Sequence, residues 1–190
     1  MTAIPRLVFI ARFTNFVALA MVSVCLLAAA APARSSADAD AERPLCVGAD
    51  SLGGSPAHRL RAMRCLLDAA RGDAGARRLH ADPRLRRSAA AKARDIRRCH
   101  RFAHDPCGDP WQVGMGRAGY ARGRHRVAEN LAWVLHGTPR TVLRMWLGSS
   151  AHRANLLNPG YRDTGLVRRS VELPGIGVVE LWVQHFGSRG

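Results

Sequence analysis

Three short segments of this chain set ionisable side chains beside apolar anchors. Phe102-Ala103-His104-Asp105-Pro106-Cys107-Gly108 carries an imidazole in a turn-rich stretch, and Ala128-Glu129-Asn130-Leu131-Ala132 carries a carboxylate in an apolar run. The third segment runs from Trp146 to Leu157 and carries a second imidazole, His152, just after Ser149 and Ser150. Were a fold to bring them together, two neutral imidazoles and one carboxylate would make a sensible inner shell for Zn²⁺ or another divalent cation, with a position left open for water. Water bound there is activated, with Glu129 as ligand or base. The same groups also suit plain hydrogen bonding, in which Glu129 holds both rings and stitches three loops together. Their spacing is too irregular for a local metal motif such as H-E-x-x-H, so any such site is assembled by the fold. Nothing resembling a nucleophile elbow surrounds Ser149 or Ser150.

The elements that must position these groups follow from periodicity. Leu60, Met63, Leu66, Leu67 and Ala70 recur at helical spacing, which predicts a helix over 57–71 that Gly72 and Gly75 end. Asp82-Pro83 opens a second helix running to about His100. Leu85, Ala89, Ile96 and Cys99 share one face of it, and Arg84, Arg87, Arg94, Arg98 and Arg101 the other. Residues 101–124 read as loop. Val127–Leu135 reads as a strand, Thr138-Pro139 as the start of a third helix, 149–157 as a short helix or turn capped by Ser150, and 163–169 and 177–187 as two more strands. Helices first, then strands mixed with helix, argue an α+β sandwich. On the last strand, Gln184 is expected toward the cavity or bonded to backbone, and His185 on the opposite face. Asn130 and Asn155 are expected as loop-fixing amides. Trp133, Trp146 and Trp182 are expected in the core.

The N-terminus reads as a signal peptide spanning residues 1–33. Arg6 and Arg12 precede an apolar run from Phe16 to Ala31, and Ala31-Pro32-Ala33 is a small-x-small cleavage site. The run is short for a membrane span, which needs about 20 residues; retained, it would act as a membrane anchor. Cys25 falls within the discarded segment. Residues 34–56 read as an arm or linker, and 57–190 as one domain. Loss of two arginines takes the formal net charge from +15 to +13. A field of that sign favours anionic partners such as cell-wall polymer or acidic lipid. The arginine stripe lacks interleaved aromatics, which argues against nucleic acid. Four cysteines remain, an even number that suggests disulfides in an exported chain. Three connectivities are open. The short His/Pro/Gly-rich turn between Cys99 and Cys107 favours a local bridge, which leaves Cys46 to pair with Cys65.

The chain resembles the bacterial, extracellular SCP-like branch of the CAP superfamily. That branch shows F-S-H, G-E-N-I-A, W-M-x-S-P-G-H-R-x-N-I-L and Y-W-x-Q-x-F-G in order. Here the counterparts are F-A-H, A-E-N-L-A, W-L-G-S-S-A-H-R-A-N-L-L and L-W-V-Q-H-F-G, over roughly 57–187. The resemblance implies a three-layer α-β-α sandwich with a central antiparallel sheet. It carries His104, Glu129 and His152 onto the family's central cavity, with Ser149, Ser150, Asn130 and Gln184 in support. Ser149 stands where the family's eukaryotic members carry a second glutamate, an absence common in the bacterial branch, and the family's G-x-G reads Gly165-Leu166-Val167.

These features point to a monomeric, secreted protein that binds a ligand or partner outside the cell, with a divalent-cation site in the cavity. Binding is favoured over catalysis, because the resemblance implies metal, lipid and protein binding more than any one reaction. Two alternatives stand beside it: a metal-assisted hydrolase acting on peptide or cell-wall substrates, and a structural or interaction module with no cavity chemistry.

Overall fold

The computed structural model describes residues 46–120 and 125–189. The expected signal segment, and the arm up to residue 45, lie outside the described residues. Among the described residues, no helix is long and apolar enough to cross a membrane.

The elements in chain order are α1 (Pro56–Asp73), β1 (His80–Ala81), α2 (Pro83–Arg98), α3 (Val113–Arg117), β2 (His125–Val134), α4 (Pro139–Gly148), α5 (Ser150–Leu157), β3 (Asp163–Leu173) and β4 (Gly177–Arg189). The three long helices start at proline after a polar cap. The Ser55 hydroxyl accepts from the His58 N–H, the Asp82 carboxylate from Arg84 and Leu85, and the Thr138 hydroxyl from Thr141. Two elements escaped the sequence reading. The two-residue β1 is too short to show alternation, and the single-turn α3 lies inside the stretch expected as loop.

The sheet order is β1-β3-β4-β2. β4 pairs antiparallel with both β2 and β3, so the sheet is antiparallel except for β1, which runs parallel to β3. One face is covered by α1, α4 and α5, whose Met63, Leu66, Val142, Trp146 and Leu156 pack on Trp182 and Phe186. The other is covered by α2, whose Ala89, Ala93 and Ile96 pack on Val167, Val183 and Leu181. This is the expected three-layer sandwich. Val167, at the second glycine position of the family pattern, fills that second core.

Two glycines allow the α2 side to lie close on the sheet. A Cβ at Gly165 would sit 2.1 Å from the backbone of Leu85, and one at Gly187 would sit 2.2 Å from the Tyr120 ring. The first contact is with helix backbone, which cannot swing aside. Gly165 therefore sets how near the first turns of α2 come to β3 and β4. Both bridges form as expected: Cys46–Cys65 ties the described end of the arm to α1, and Cys99–Cys107 closes the loop after α2.

Arg71 of α1 is fully buried. Its guanidinium donates to the carbonyls of Arg77, Leu156, Asn158 and Tyr161. It thus gathers the C-terminal end of α5 and the turn beyond it, where orphan carbonyls need donors. Arg71→Met keeps much of the apolar stem and removes every donor. The expected loss is about 3 kcal/mol in urea unfolding; a change below about 0.5 kcal/mol would contradict this role.

Candidate functional site

The β2–β4 register decides the site. Glu129 lies directly opposite His185, and Asn130 directly opposite Gln184. Directly opposed residues share a face of the sheet. Glu129 and His185 therefore both face α2, and Asn130 and Gln184 face the other layer.

On the α2 face, Glu129 is buried at 4 % exposure. Its Oε1 accepts from His104 Nδ1 at 2.7 Å, and its Oε2 accepts from His185 Nε2 at 2.7 Å. The Lys92 ammonium stands 3.8 Å from Oε2 and also donates to the carbonyl of His104. Behind them, the Ser88 hydroxyl lies 2.6 Å from His185 Nδ1. Burial alone would raise the Glu129 pKa. The hydrogen bonds from His104 and His185, and the charges around it, outweigh that and hold it below the ordinary carboxylate range.

His104 is brought to Glu129 by the loop that Cys99–Cys107 closes, and its side chain is half exposed. His152 comes from α5, on the other side of the sheet edge. Asn130 holds α5 there: its Nδ2 donates to the His152 carbonyl at 3.1 Å, and its Oδ1 accepts from Asn155 Nδ2 at 3.0 Å. Asn155 also donates to the Glu129 carbonyl on the free side of β2. The expectation that these two amides fix loops matches their bonding. His104, Glu129 and His152 line one cleft of about 280 Å³, with Trp111, Asn155 and Tyr161.

Four expectations are corrected. Gln184 does not line the cleft. It is fully buried on the opposite face, where its Nε2 donates to Thr164 Oγ1 and its Oε1 has no partner among the described residues. His185, expected on that opposite face, is the residue that meets Glu129. Ser149 and Ser150 do not line the cleft. Ser149, rather than Ser150, occupies the cap position of α5, and its hydroxyl makes no capping hydrogen bond. Asn130, expected in support of the cleft, does hold α5 from behind it. One sequence signal marked the missed residues. Ser88 and Lys92 interrupt the apolar face of α2, and Lys92 is the one lysine among 29 basic residues. Its compact ammonium on a long stem reaches both a carboxylate and a carbonyl there, and these contacts offset part of the cost of stripping its water.

The donor set bears on a metal. Among the described residues, no group of three or more His, Cys, Asp or Glu is arranged to hold a metal ion. Glu129 accepts an imidazole hydrogen bond at each oxygen and so buttresses His104 and His185. With Nδ1 of His104 donating to Glu129, its Nε2 is left as an acceptor with no partner among the described residues. His104 and His152 are the two imidazoles that line the cleft, and any cation held there would need further ligands from solvent or a bound molecule. The residues do not fit a three-ligand catalytic zinc site.

The sequence profile of the cysteine-rich secretory protein family, CAP, matches residues 66–186. This chain belongs to that family. It is 29% identical over 126 residues to the Bacillus subtilis (strain 168) protein YkwD, covering 64% of this chain and 44% of that one. The chain thus spans less than half the length of this relative. Among solved structures, an outer surface protein of Borrelia burgdorferi aligns with a TM-score of 0.60 at 18% identity, over 72% of this chain and 97% of that one. An extracellular Bacillus anthracis str. Ames protein containing an SCP domain aligns with a TM-score of 0.56 at 20% identity, over 72% and 45%. At these identities the likeness establishes the CAP fold.

The site makes stability depend on pH in a definite direction. Burial lowers the pKa of His185, against the pull of Glu129 and with Lys92 and His104 adding to it. Burial, then His104, lowers that of His152. An imidazole that resists protonation in the folded state makes its full contribution above the unfolded pKa of about 6.5 and loses it as pH falls below that value. Glu129 acts in the same sense further down: its contribution is present above the ordinary carboxylate range and is lost as pH falls through its depressed pKa. Melting temperature should be nearly flat from about pH 8 to about pH 7 and fall from about pH 6.5 to about pH 5. A melting temperature that holds or rises over the acid half of that range would contradict the assignment.

Proposed function

We propose that this CAP-domain chain works outside the cell as a binding protein whose cleft holds a divalent cation such as Zn²⁺ through His104 and His152. One observation carries the reading: a buried carboxylate takes the Nδ1 hydrogen of His104, leaving Nε2 as a lone pair in a cleft that His152 also lines. A carboxylate behind a ligating imidazole fixes the ring's tautomer and raises its basicity. A cation held there would supply a positive centre for an anionic or carbonyl oxygen of a ligand. Trp111 and Tyr161 offer apolar wall beside it.

Export is supported by the expected leader over residues 1–33, by two disulfides, which persist in oxidising compartments, and by the extracellular relative. The positive surface gives the domain affinity for anionic wall polymer or lipid headgroups and raises encounter rates with them. Ligand binding is favoured over hydrolysis on the donor set: two imidazoles leave the cation one protein ligand short of a hydrolytic zinc centre, and Ser149 supplies no second carboxylate.

Isothermal titration of the mature chain with Zn²⁺ tests this reading. The expected result is weak, saturable heat that vanishes in the His104→Ala/His152→Ala double variant. Wild-type heat no greater than that of the double variant would end the cation reading and leave Glu129 as a structural cross-link. Turnover of a peptide or wall substrate that a chelator abolishes would instead favour the hydrolase.

A further inference from the structure

We propose that His185 and Ser88, buried behind the cleft, are positioning residues that act through Glu129 to decide which nitrogen of His104 faces the ligand; the inference rests on the cleft being a cation site. Neither residue touches the cleft. Together with Glu129 and His104 they form an unbroken chain of hydrogen bonds from the α2–sheet interface to the cleft wall, of 2.6, 2.7 and 2.7 Å.

The direction of each bond follows from the groups. A neutral imidazole has one donor nitrogen and one acceptor nitrogen. Facing an ionised carboxylate, His185 Nε2 must donate, because two lone pairs at 2.7 Å repel. His185 Nδ1 is then the acceptor and needs a hydrogen from Ser88. The Ser88 hydroxyl has a second outlet, the Leu85 carbonyl at 3.0 Å. If its one hydrogen went there, a neutral His185 would be driven to the other tautomer and would aim a lone pair at Glu129. The shorter contact, to His185, therefore takes the hydrogen. The Nε2 hydrogen of His185, with the Lys92 ammonium beside it, occupies Oε2 of Glu129. Oε1 is left to His104.

His104 depends on this arrangement because its ring is half exposed and makes no other hydrogen bond among the described residues. With Oε1 fixed in place, its hydrogen goes to Nδ1 and the Nε2 lone pair meets the cleft. With the carboxylate free to turn, the ring can hold its hydrogen on either nitrogen, and the tautomer with Nε2–H cannot ligate a cation through that atom. Gly165 makes the chain possible by letting α2 approach the strand that carries His185.

The test uses the mature chain labelled with ¹⁵N at histidine, read by long-range ¹H–¹⁵N correlation at about pH 8, where unperturbed rings are neutral. The wild type should show His104 with its hydrogen on Nδ1 and His185 with its hydrogen on Nε2. Ser88→Ala, which suits a helix interior, should leave His185 distributed between tautomers, remove the single-tautomer signature of His104, and weaken Zn²⁺ binding about tenfold. His185→Phe should do the same to His104. If it fails to fold, Ser88→Ala decides alone. Should His104 keep its Nδ1 hydrogen and its wild-type Zn²⁺ affinity in every folded variant, the proposal is overturned. If the wild type binds no Zn²⁺ yet the His104 tautomer shifts in Ser88→Ala, the cation reading fails while the positioning role stands. Loss of melting temperature without a tautomer change counts against it, since a packing defect does that.

Discussion

A carboxylate sealed into the sandwich must be matched on all sides or it will not stay ionised, and Glu129 is that carboxylate. Removing a charge from water costs several kcal/mol, which only close partners offset. Three chain segments supply them: His185 from the neighbouring strand, Lys92 from α2, and His104 from the disulfide-closed loop. Each arrives by a different structural device. The strand register brings His185. The absent side chain of Gly165 lets α2 lie close enough for Ser88 and Lys92 to reach. Cys99–Cys107 and the bond from Lys92 to the His104 carbonyl hold the loop.

The neighbouring residue does the complementary work on the other face. Strand alternation turns Asn130 away from Glu129 and into the helical layer that carries α5. There it binds the His152 carbonyl and the Asn155 amide. One dipeptide thus fixes both walls of the cleft, Glu129 through His104 and Asn130 through His152. Arg71 completes the second wall by gathering the carbonyls at the far end of α5. β2 is an edge strand, so the cleft opens at a place where backbone groups would otherwise invite another strand. Asn155 covers one of them by donating to the Glu129 carbonyl.

Within the CAP fold, this chain's chemistry is decided at a few motif positions. Ser149 keeps the serine of the bacterial motif, and Glu129 is the one acidic residue lining the cleft among the described residues. The variable position of the last motif holds His185, which gives that one acid a second imidazole partner. Val167 replaces a glycine and adds apolar volume to the α2 core. The outcome is a site built around a single well-buttressed anion, with two imidazoles at the cleft rim and a third behind it.

Much of this was legible in the sequence. Helix starts were marked by Asp82-Pro83 and Thr138-Pro139, where a capping side chain and a fixed φ act on their neighbours alone. The long strands were marked by their apolar runs, the bridges by the spacing of Cys99 and Cys107, and the family by four ordered motifs that also named His104, Glu129 and His152. These are local or pattern signals, and local physics suffices to produce them. The sequence did not determine that His185 rather than Gln184 meets Glu129. Alternation along β4 fixes that the two point in opposite directions, but which face each takes depends on the register against β2 and on the layer that packs there. The sequence did allow for Glu129 holding two rings, but as those of His104 and His152; that His185 takes the second oxygen depends on three segments converging there. Only tertiary structure decides such matters, since the cost of burying a charge is set by neighbours far away along the chain.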